Sequence, residues 1–376
     1  MDDARLPLLR ARSQLLHSPA RATDVPNLLR AIAGAQAQEA RAARLQVRAR
    51  TRGSLTAADV EHARVEDRSI IRTWVMRKTA HLFPIEDLEW MAPIFWGRVA
   101  DWSRSRLASL GVDEVLREKA LGSMRKALEA RGAMTRSEAM DVAARSGVDV
   151  NVQRRTHLST LAVVEGWACM GPQVGSDGTF VATRDWIGAW RPRGRESSLA
   201  ELARRYVAAF APATERDFAA WAGLPLGDCR VGLEAIAKEM REVGSAVGET
   251  LLAPKGWRAT APRGPVVRLL GAYDTYLMGY ASRLHAVSPE GEKQVLPGGG
   301  ILRPTICVDG RFVGTWTSEK SAKRLKVALE PFGRIEDSWV SQIEAEASDI
   351  ARFEGIAEAV VGHTPRAKSQ SLKQGT

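Results

Sequence analysis

A pattern of helix-forming segments repeats three times along the first 260 residues of the chain. Each copy contains a threonine followed three residues later by Asp or Glu, which is close to the capping-box pattern that begins a helix. The three threonines are Thr56, Thr135 and Thr214, so successive copies lie 79 residues apart. Equal spacing with matched surroundings indicates a repeated structural unit.

The second copy gives the clearest order of elements. Helical periodicity covers about 114–130, 136–146 and 151–165, and two apolar stretches typical of strands follow at Trp167–Met170 and Thr179–Thr183. A helix, a short helix, a longer helix and a β-hairpin form the order of a winged helix, which is a variant of helix-turn-helix. We therefore predict a winged-helix unit in this part of the chain.

The other two copies repeat this order less completely. The third copy predicts helices over Leu199–Phe210, Glu215–Ala222 and Gly227–Val243, whereas Gly34 interrupts the leading helix of the first. The predicted fold class is accordingly α+β, mostly α, with three tandem winged-helix units.

The character of the sequence changes after residue 260. Strand character dominates, a tight-turn dipeptide at Asp309-Gly310 joins two strands, and Ser338–Ile356 is predicted to be a closing helix. The predicted strands are Val266–Leu270, Ile306–Val308 and Leu325–Leu329. The predicted segments are 1–105, 106–195 and 196–260 for the three units, 261–361 for a β-rich C-terminal part and 362–376 for a disordered tail.

Composition narrows the class of protein. The three cysteines, Cys169, Cys229 and Cys307, are far apart, so we expect neither a disulfide framework nor an iron–sulfur or other metal site. No apolar run is long enough for a membrane span and no secretory signal is evident, so we expect a cytoplasmic location and no membrane partner. The formal net charge of +10 favours a polyanionic partner, although a charge of this size also occurs in proteins that bind no nucleic acid.

The paired glutamines of Gln36-Ala37-Gln38 are the first candidates for chemistry. The pair follows Gly34 and precedes a helix that begins near Glu39. In an extended segment the residues i and i+2 face the same side, so two amides could converge on one water molecule. The alternative is a structural one, in which both amides hydrogen-bond between helices.

The helix after the glutamines carries a basic stripe. Arg41, Arg44, Arg48 and Arg52 follow one another at i, i+3, i+7 and i+11, which places them on one helical face. Such a face could follow a phosphate backbone, but most charged stripes are solvated surfaces.

Two further segments mix aromatic and polar residues. In Arg72–Phe83, Trp74 could line a site, and His81 could line a pocket, contact a nucleic acid or fill a structural position. In Tyr273–Tyr276, Asp274 could hold a water or a sugar edge, or accept hydrogen bonds from the neighbouring tyrosines. The sequence does not decide between these roles.

Four ordered blocks together resemble a known family, the winged-helix DNA glycosylases of AlkZ and YcaQ. The resemblance extends over nearly the whole chain. Gln38 places the chain nearer the AlkZ branch, because the YcaQ branch has an acidic residue at the second position. The blocks are Gly34–Gln38, Arg72–His81, Tyr273–Tyr280 and Gly299–Trp316, of which the last contains the Asp309-Gly310 turn.

The resemblance implies an enzyme that excises N7-alkylated purines and unhooks interstrand crosslinks, including those made by a producer's own genotoxic natural product. It assigns catalysis to Gln36 and Gln38, and implies a C-shaped, concave surface for double-stranded DNA. We expect a monofunctional glycosylase without cofactor that acts as a monomer. The predicted site lining is Trp74, Tyr273, Asp274 and Tyr276, and the predicted DNA contacts are Arg41, Arg44, Arg48, Arg77, His81, Arg303 and Arg311.

The hairpin turning at Asp309-Gly310, with Arg311 near its tip, is the segment expected to enter the minor groove. Many members of the family have a glycine where this chain has Lys78, which makes the local turn uncertain. The competing hypotheses are a non-enzymatic winged-helix regulator, which would be expected to dimerise and prefer one DNA sequence, and a scaffold that binds no nucleic acid.

Overall fold

The structure is a computed structural model that describes residues 5–19, 24–51, 53, 55–175, 177–246, 248–260 and 264–363. Arg52 of the basic stripe and residues 364–376 of the predicted disordered tail lie outside these ranges. The first residues of that predicted tail, 362 and 363, belong to the last β-strand, so the tail cannot begin before residue 364.

The described residues form a mixed α/β structure that is about half helical. The helices are α1 (Leu6–Ser13), α2 (Val25–Ala31), α3 (Ala40–Ala49), α4 (Ala57–Val65), α5 (Leu88–Ser109), α6 (Glu114–Arg131), α7 (Arg136–Arg145), α8 (Val152–Val164), α9 (Thr183–Trp186), α10 (Arg195–Phe210), α11 (Glu215–Ala222), α12 (Leu226–Ala235), α13 (Thr275–Met278), α14 (Pro289–Val295) and α15 (Asp337–Phe353).

The strands assemble into four small sheets, with the orders β1-β3-β2, β4-β6-β5, β7-β8 and β13-β12-β11-β10-β9. Neighbouring strands run antiparallel except β12 and β13, which are parallel. The strands are β1 (Ala35–Gln36), β2 (Ile70–Trp74), β3 (Ala80–Pro84), β4 (Ala133–Thr135), β5 (Ala168–Val174), β6 (Asp177–Ala182), β7 (Met240–Ala246), β8 (Glu249–Pro254), β9 (Val267–Leu270), β10 (Thr305–Val308), β11 (Arg311–Lys320), β12 (Arg324–Pro331) and β13 (Glu358–His363).

The repeated capping pattern is confirmed in all three copies. Thr56, Thr135 and Thr214 each precede a helix and accept a hydrogen bond from the backbone N–H three residues later. In each copy the acidic side chain at that third residue accepts a hydrogen bond from the threonine's own backbone N–H. A local signature of four residues is enough to start a helix, and for this reason the sequence located these three starts correctly.

The predicted order of elements holds in the second copy. Helix α6 leads through β4 into α7 and α8, and the β5–β6 hairpin then pairs with β4. One prediction in the third copy is wrong. The helix expected over Gly227–Val243 ends at Ala235, because residues 240–246 pair with β8 as a strand.

The hydrophobic core does not follow the chain from one end to the other. One cluster of buried side chains combines the helices and strands that surround the first glutamine with the C-terminal sheet and helix α15. Trp316 and Ile350, for example, share this cluster with Ala35 and Val47. Segments from both ends of the chain therefore pack together around the first glutamine. None of the helices in the described ranges is both long and apolar enough to cross a lipid bilayer.

Candidate active site

The first glutamine of the pair is fixed by a three-stranded sheet. Gly34, at φ +89°, turns the chain out of helix α2, and a Cβ at this position would lie 3.1 Å from the carbonyl oxygen of Leu82. Glycine therefore lets β1 approach β3, where Gln36 is paired with His81. The buried Gln46 of helix α3 donates from Nε2 to the backbone oxygen of Gln36 at 2.8 Å.

The two glutamine side chains meet, as expected for an extended segment. Nε2 of Gln36 donates to Oε1 of Gln38 at 2.7 Å. Gln36 is 3% exposed, whereas Gln38 is exposed at the surface. The pair is therefore asymmetric, with one amide inside the protein and the other facing solvent.

Arg77 fixes the orientation of both amides. Its Nη2 donates to Oε1 of Gln36 at 2.9 Å. A guanidinium has no acceptor, so the Gln36 atom that faces it must be the oxygen, and the Gln36 nitrogen must then face the oxygen of Gln38. The N–H groups of Gln38 and the second lone pair of its oxygen are left for a partner outside the pair.

The third copy of the repeat holds Arg77 in place. Its Nη1 donates to the carbonyl oxygen of Trp221 near the C-terminus of α11, an end that attracts cations. Gly223 follows this helix, and a Cβ on it would lie 2.9 Å from the backbone nitrogen of Arg77. Burial, and then the charge of Arg283, lower the pKa of Arg77 to about 10, so the side chain stays charged at neutral pH.

The turn that carries Arg77 is left-handed at two consecutive residues. Arg77 has φ 52° and Lys78 has φ 61°. A lysine therefore occupies the backbone conformation that glycine adopts most readily, at the position where the resemblance led us to expect glycine. The turn is therefore left-handed although it contains a lysine.

His81 is an uncharged, buried residue. It is 1% exposed, and its Nδ1 lies 3.0 Å from the carbonyl oxygen of Thr79. Burial, and then the charge of Arg77, lower the pKa of His81 to about 3. The expectation that His81 contacts DNA is therefore wrong, and its position on β3 beside Gln36 makes it part of the floor of the site.

Two of the predicted lining residues in the Tyr273–Tyr276 segment are buried and do not face the solvent side of the glutamine pair. Asp274 is 1% exposed, forms a two-point ion pair with Arg50 at 2.7 and 2.9 Å, and accepts a hydrogen bond from the backbone N–H of Tyr276. Tyr276 is completely buried, and its hydroxyl donates to backbone oxygens. Neither residue lines a site, so these two predictions are corrected.

Tyr273 differs from its neighbours because it is only half-buried. Burial, and then the nearby carboxylate of Glu39, raise the pKa of Tyr273. Since Glu39 directly follows Gln38, Tyr273 remains a candidate for lining the site. Trp74 is half-buried and packs against the core of the second copy of the repeat.

The predicted basic stripe on α3 does not form one free face. Arg48 is 1% exposed and pairs with Glu346 at 2.9 Å and with Asp349 at 3.3 Å, both on helix α15. Arg41 pairs with Glu354 just beyond that helix at 2.5 Å. Arg48 therefore cannot contact DNA, because helix α15 covers it. Arg41 stays partly exposed but is already paired with a carboxylate.

The prediction that the hairpin at Asp309-Gly310 enters a DNA groove is also wrong. The turn forms at Asp309-Gly310 as predicted, but Gly310 is buried, and a Cβ there would collide with the backbone oxygen of Pro7. A turn packed in this way cannot enter a DNA groove. Arg311 and Arg303 are exposed beside it.

The next hairpin along the sheet has the exposed tip that the buried turn lacks. Strands β11 and β12 are joined by residues 321–323, which are all exposed. Lys320, Lys323 and Arg324 give this tip a positive charge.

A group of arginines lies near the glutamines, and most of its members were not predicted as site residues from the sequence. Arg72 donates to the backbone oxygens of Ala37 and Gln38 at 2.8 and 3.1 Å. It also lines a cavity of about 240 Å³, to which helices α3, α4, α7 and α8 contribute further arginines. We call this space the arginine cavity; its arginines are Arg44, Arg64, Arg72, Arg136 and Arg155. Of these, only Arg44 was predicted as a DNA contact, because no short sequence pattern links the other four.

The three cysteines are buried and unpaired in the described structure. Burial raises the pKa of Cys169 to about 11 and that of Cys229 to about 12. The described residues bring together no group of three or more His, Cys, Asp or Glu side chains that could hold a metal ion.

Comparison with known proteins assigns the family. A family model described as "DNA glycosylase AlkZ-like" matches residues 29–353. The chain is 28% identical over 315 residues to an interstrand DNA cross-link repair glycosylase of Streptomyces sahachiroi, which covers 79% of this chain and 82% of that protein. The solved structure of Streptomyces sahachiroi DNA glycosylase AlkZ has a similar fold, with a TM-score of 0.75, 22% identity, and coverage of 96% of this chain and 99% of the other. The resemblance drawn from the four sequence blocks is thereby confirmed, and the chain belongs to the AlkZ-like DNA glycosylase family.

Proposed function

We propose that this DNA glycosylase hydrolyses the N-glycosidic bond of N7-alkylated purines in double-stranded DNA, and that Gln36 and Gln38 are its catalytic pair. The observation that carries the proposal is the hydrogen-bonded chain from Arg77 through Gln36 to the exposed Gln38. This chain leaves one oriented carboxamide at the surface, where it can bind a water molecule.

The chemistry of the substrate fits a site without a strong base. Alkylation at N7 makes the purine cationic, so the base leaves as a neutral molecule and needs no protonation. The enzyme has to place a water at C1′ and stabilise the positive charge that develops on the sugar. The exposed oxygen of Gln38 can accept a hydrogen bond from that water, and the neutral His81 beneath the pair adds no repelling charge.

We propose a monofunctional activity, without cleavage of the DNA backbone. A lyase needs an amine that attacks C1′. Lys78 lies in the same turn as Arg77, but its ammonium group is placed over the ring of Trp102, 5.6 Å from the ring centre. This contact supports hydrolysis by water as the reaction.

Bulky adducts are the substrates that an exposed site suits best. A deep pocket for a flipped base selects small lesions, whereas Gln38 stands at the surface. The relative from Streptomyces sahachiroi is named an interstrand cross-link repair glycosylase. We propose by analogy that this chain unhooks crosslinks or bulky adducts of a genotoxic natural product, as self-resistance in the cytoplasm of the producing cell.

We propose three winged-helix units and a C-terminal part that form a concave surface for DNA, with the enzyme acting as a monomer. The order of α6, β4, α7, α8 and the β5–β6 hairpin supports this for the second unit. The exposed Arg303 and Arg311 remain proposed contacts, and the basic tip between β11 and β12 replaces the buried turn as the proposed groove-binding hairpin.

Release of 7-methylguanine from methylated duplex DNA tests the catalytic assignment. We expect Gln36→Ala and Gln38→Ala each to lower the single-turnover rate by at least about 100-fold, since a misplaced water forfeits much of the benefit of orientation. Gln294→Ala, which changes an exposed glutamine on α14, is the matched control and should keep the wild-type rate.

Unfolding midpoints establish that the variants are folded. If folded Gln36→Ala and Gln38→Ala proteins both release the base at the wild-type rate, the catalytic assignment is wrong. If the wild type releases no alkylated purine but binds one DNA sequence tightly as a dimer, the competing regulator hypothesis is correct.

A further inference from the structure

The arginine cavity holds more positive charge than the fold neutralises. Five arginines line it, whereas its lining includes only two carboxylates, Glu61 and Asp177. Glu61 is already bound to Arg64, and Asp177 accepts a hydrogen bond from the backbone N–H of Ser137. The cavity therefore keeps a formal excess of three positive charges.

This excess is costly because the cations are partly buried. Burial, and then the charges of Arg64 and Arg136, lower the pKa of Arg72 to about 10. The Nε of Arg136 is buried and has no hydrogen-bond partner among the described residues. Clustered cations with an unsatisfied donor are the arrangement that a bound anion would stabilise.

The cavity is joined directly to the glutamine segment. Arg72 donates through Nε and Nη2 to the carbonyl oxygens of Ala37 and Gln38, and Ala37 itself lines the cavity. A sugar positioned at Gln38 carries a phosphate on each side along its strand. One of these phosphates would lie beside the arginine cavity.

We propose that the arginine cavity binds a backbone phosphate of the damaged strand, next to the nucleotide whose base is removed. The inference rests on the proposed function and identifies the group that anchors the substrate strand. A backbone phosphate shares one negative charge between its two non-bridging oxygens, and this pair of oxygens matches the forked donors of arginine. Bound there, it would hold the strand in register with the glutamine pair through Arg72.

Methylphosphonate scanning tests the proposal. Duplexes would carry one 2′-fluorinated 7-methylguanosine, which resists hydrolysis, and one neutral methylphosphonate at each phosphate in turn. We expect one position flanking the lesion to weaken wild-type binding by on the order of tenfold, as the loss of one charge-assisted hydrogen bond does. Arg136→Gln and Arg155→Gln should weaken binding to unmodified DNA similarly and become insensitive to methylphosphonate at that position.

The salt dependence of binding gives a second readout. Each lost phosphate contact should reduce the slope of log Kd against log salt concentration by about 0.9. Arg125→Gln is the matched control, because Arg125 is exposed and pairs only with Glu129 among the described residues. It removes the same charge and should keep the methylphosphonate response. Unfolding midpoints check that both cavity variants are folded.

The outcomes are distinct. If both variants respond to every flanking methylphosphonate as the wild type does, the proposal is wrong. The same holds if inorganic phosphate raises the unfolding midpoint of the wild type alone while no coupling to DNA appears, because the cavity would then serve a free anion. Coupling in a protein that releases no 7-methylguanine would support the phosphate site while refuting the proposed catalytic function.

Discussion

Arg77 shows how one side chain can determine which atoms of its neighbours donate and which accept hydrogen bonds. A carboxamide can be rotated to exchange its oxygen and nitrogen, and two linked amides can in principle adopt several hydrogen-bonding patterns. Because Arg77 only donates, it leaves one pattern for Gln36 and Gln38. We therefore propose that Arg77 is a positioning residue that acts through Gln36, in place of the contact with DNA that the resemblance implied.

Substitution of Arg77 separates these two roles. We expect Arg77→Lys and Arg77→Ala to lower the single-turnover rate by on the order of 10–100-fold, because the glutamine amides lose their fixed orientation. The Kd for DNA and its salt dependence should stay within about twofold of the wild type. Both are measured on the same methylated duplex, by base release and by fluorescence anisotropy.

A phosphate contact would give the opposite result. Loss of such a contact weakens DNA binding and lowers the salt slope by about 0.9, while the rate at saturating enzyme stays near that of the wild type. This outcome would return Arg77 to the DNA-binding surface that the sequence predicted.

At the scale of elements, the C-terminal helix α15 determines which arginines of helix α3 are free to contact DNA. Arg48 pairs with two carboxylates of α15, and Arg50 pairs with Asp274 before α13. Their partners lie more than 220 residues further along the chain. The basic face of α3 could be predicted from the sequence. The carboxylates of α15 that pair with it could not, because no local pattern links positions so far apart.

Asp274 is predicted to matter for stability and not for chemistry. Asp274→Asn leaves the guanidinium of Arg50 buried without its matching charge, so the free energy of unfolding should fall by about 3 kcal/mol. Urea denaturation measures this change. Asp228→Asn, which breaks a more exposed ion pair with Arg195, should cost less than about 1 kcal/mol.

The rate of base release distinguishes the alternative. Where both proteins are fully folded, Asp274→Asn should keep the wild-type rate. A large loss of rate at unchanged stability would mean that Asp274 holds a water or a sugar edge in the site after all.

Features that depend on neighbouring residues were predictable from the sequence, whereas features that depend on distant segments were not. Helix starts at Thr56, Thr135 and Thr214 depend on residues three positions away and were predicted correctly. The extended geometry that joins Gln36 to Gln38 is equally local. The arginine cavity and the burial of Gly310 depend on segments brought together only by folding, so no pattern along the chain could indicate them.

At the scale of the whole molecule, the unfolding of the protein is coupled to proton uptake by the floor of the site. The pKa of His81 is about 3 in the folded state, below the ordinary value of 6.5 that it regains on unfolding. The unfolded state therefore binds the proton more readily. The stability that His81 contributes is present above pH 6.5 and is lost progressively as the pH falls from 6.5 towards 3.

The variant His81→Asn lacks the imidazole that takes up this proton, while its amide N–H can still donate to the carbonyl oxygen of Thr79. Below about pH 6, the free energy of unfolding of the wild type should fall more steeply than that of the variant, by about 1.4 kcal/mol per pH unit for one proton. Urea titrations between pH 5.0 and 6.5 measure the two slopes. Parallel slopes would show that the folded protein protonates His81 as easily as the unfolded chain does.

The asymmetry between the two glutamines also bears on how such an enzyme can evolve. Gln36 is enclosed by Arg77, Gln46 and its strand partners, so a change there disturbs several buried groups at once. Gln38 is exposed, and surface substitutions usually alter stability by no more than about 0.5 kcal/mol. A substitution at the second position should therefore leave the fold intact. If Gln38 binds the water as proposed, a lineage could exchange this group, and with it the range of lesions removed, without losing stability.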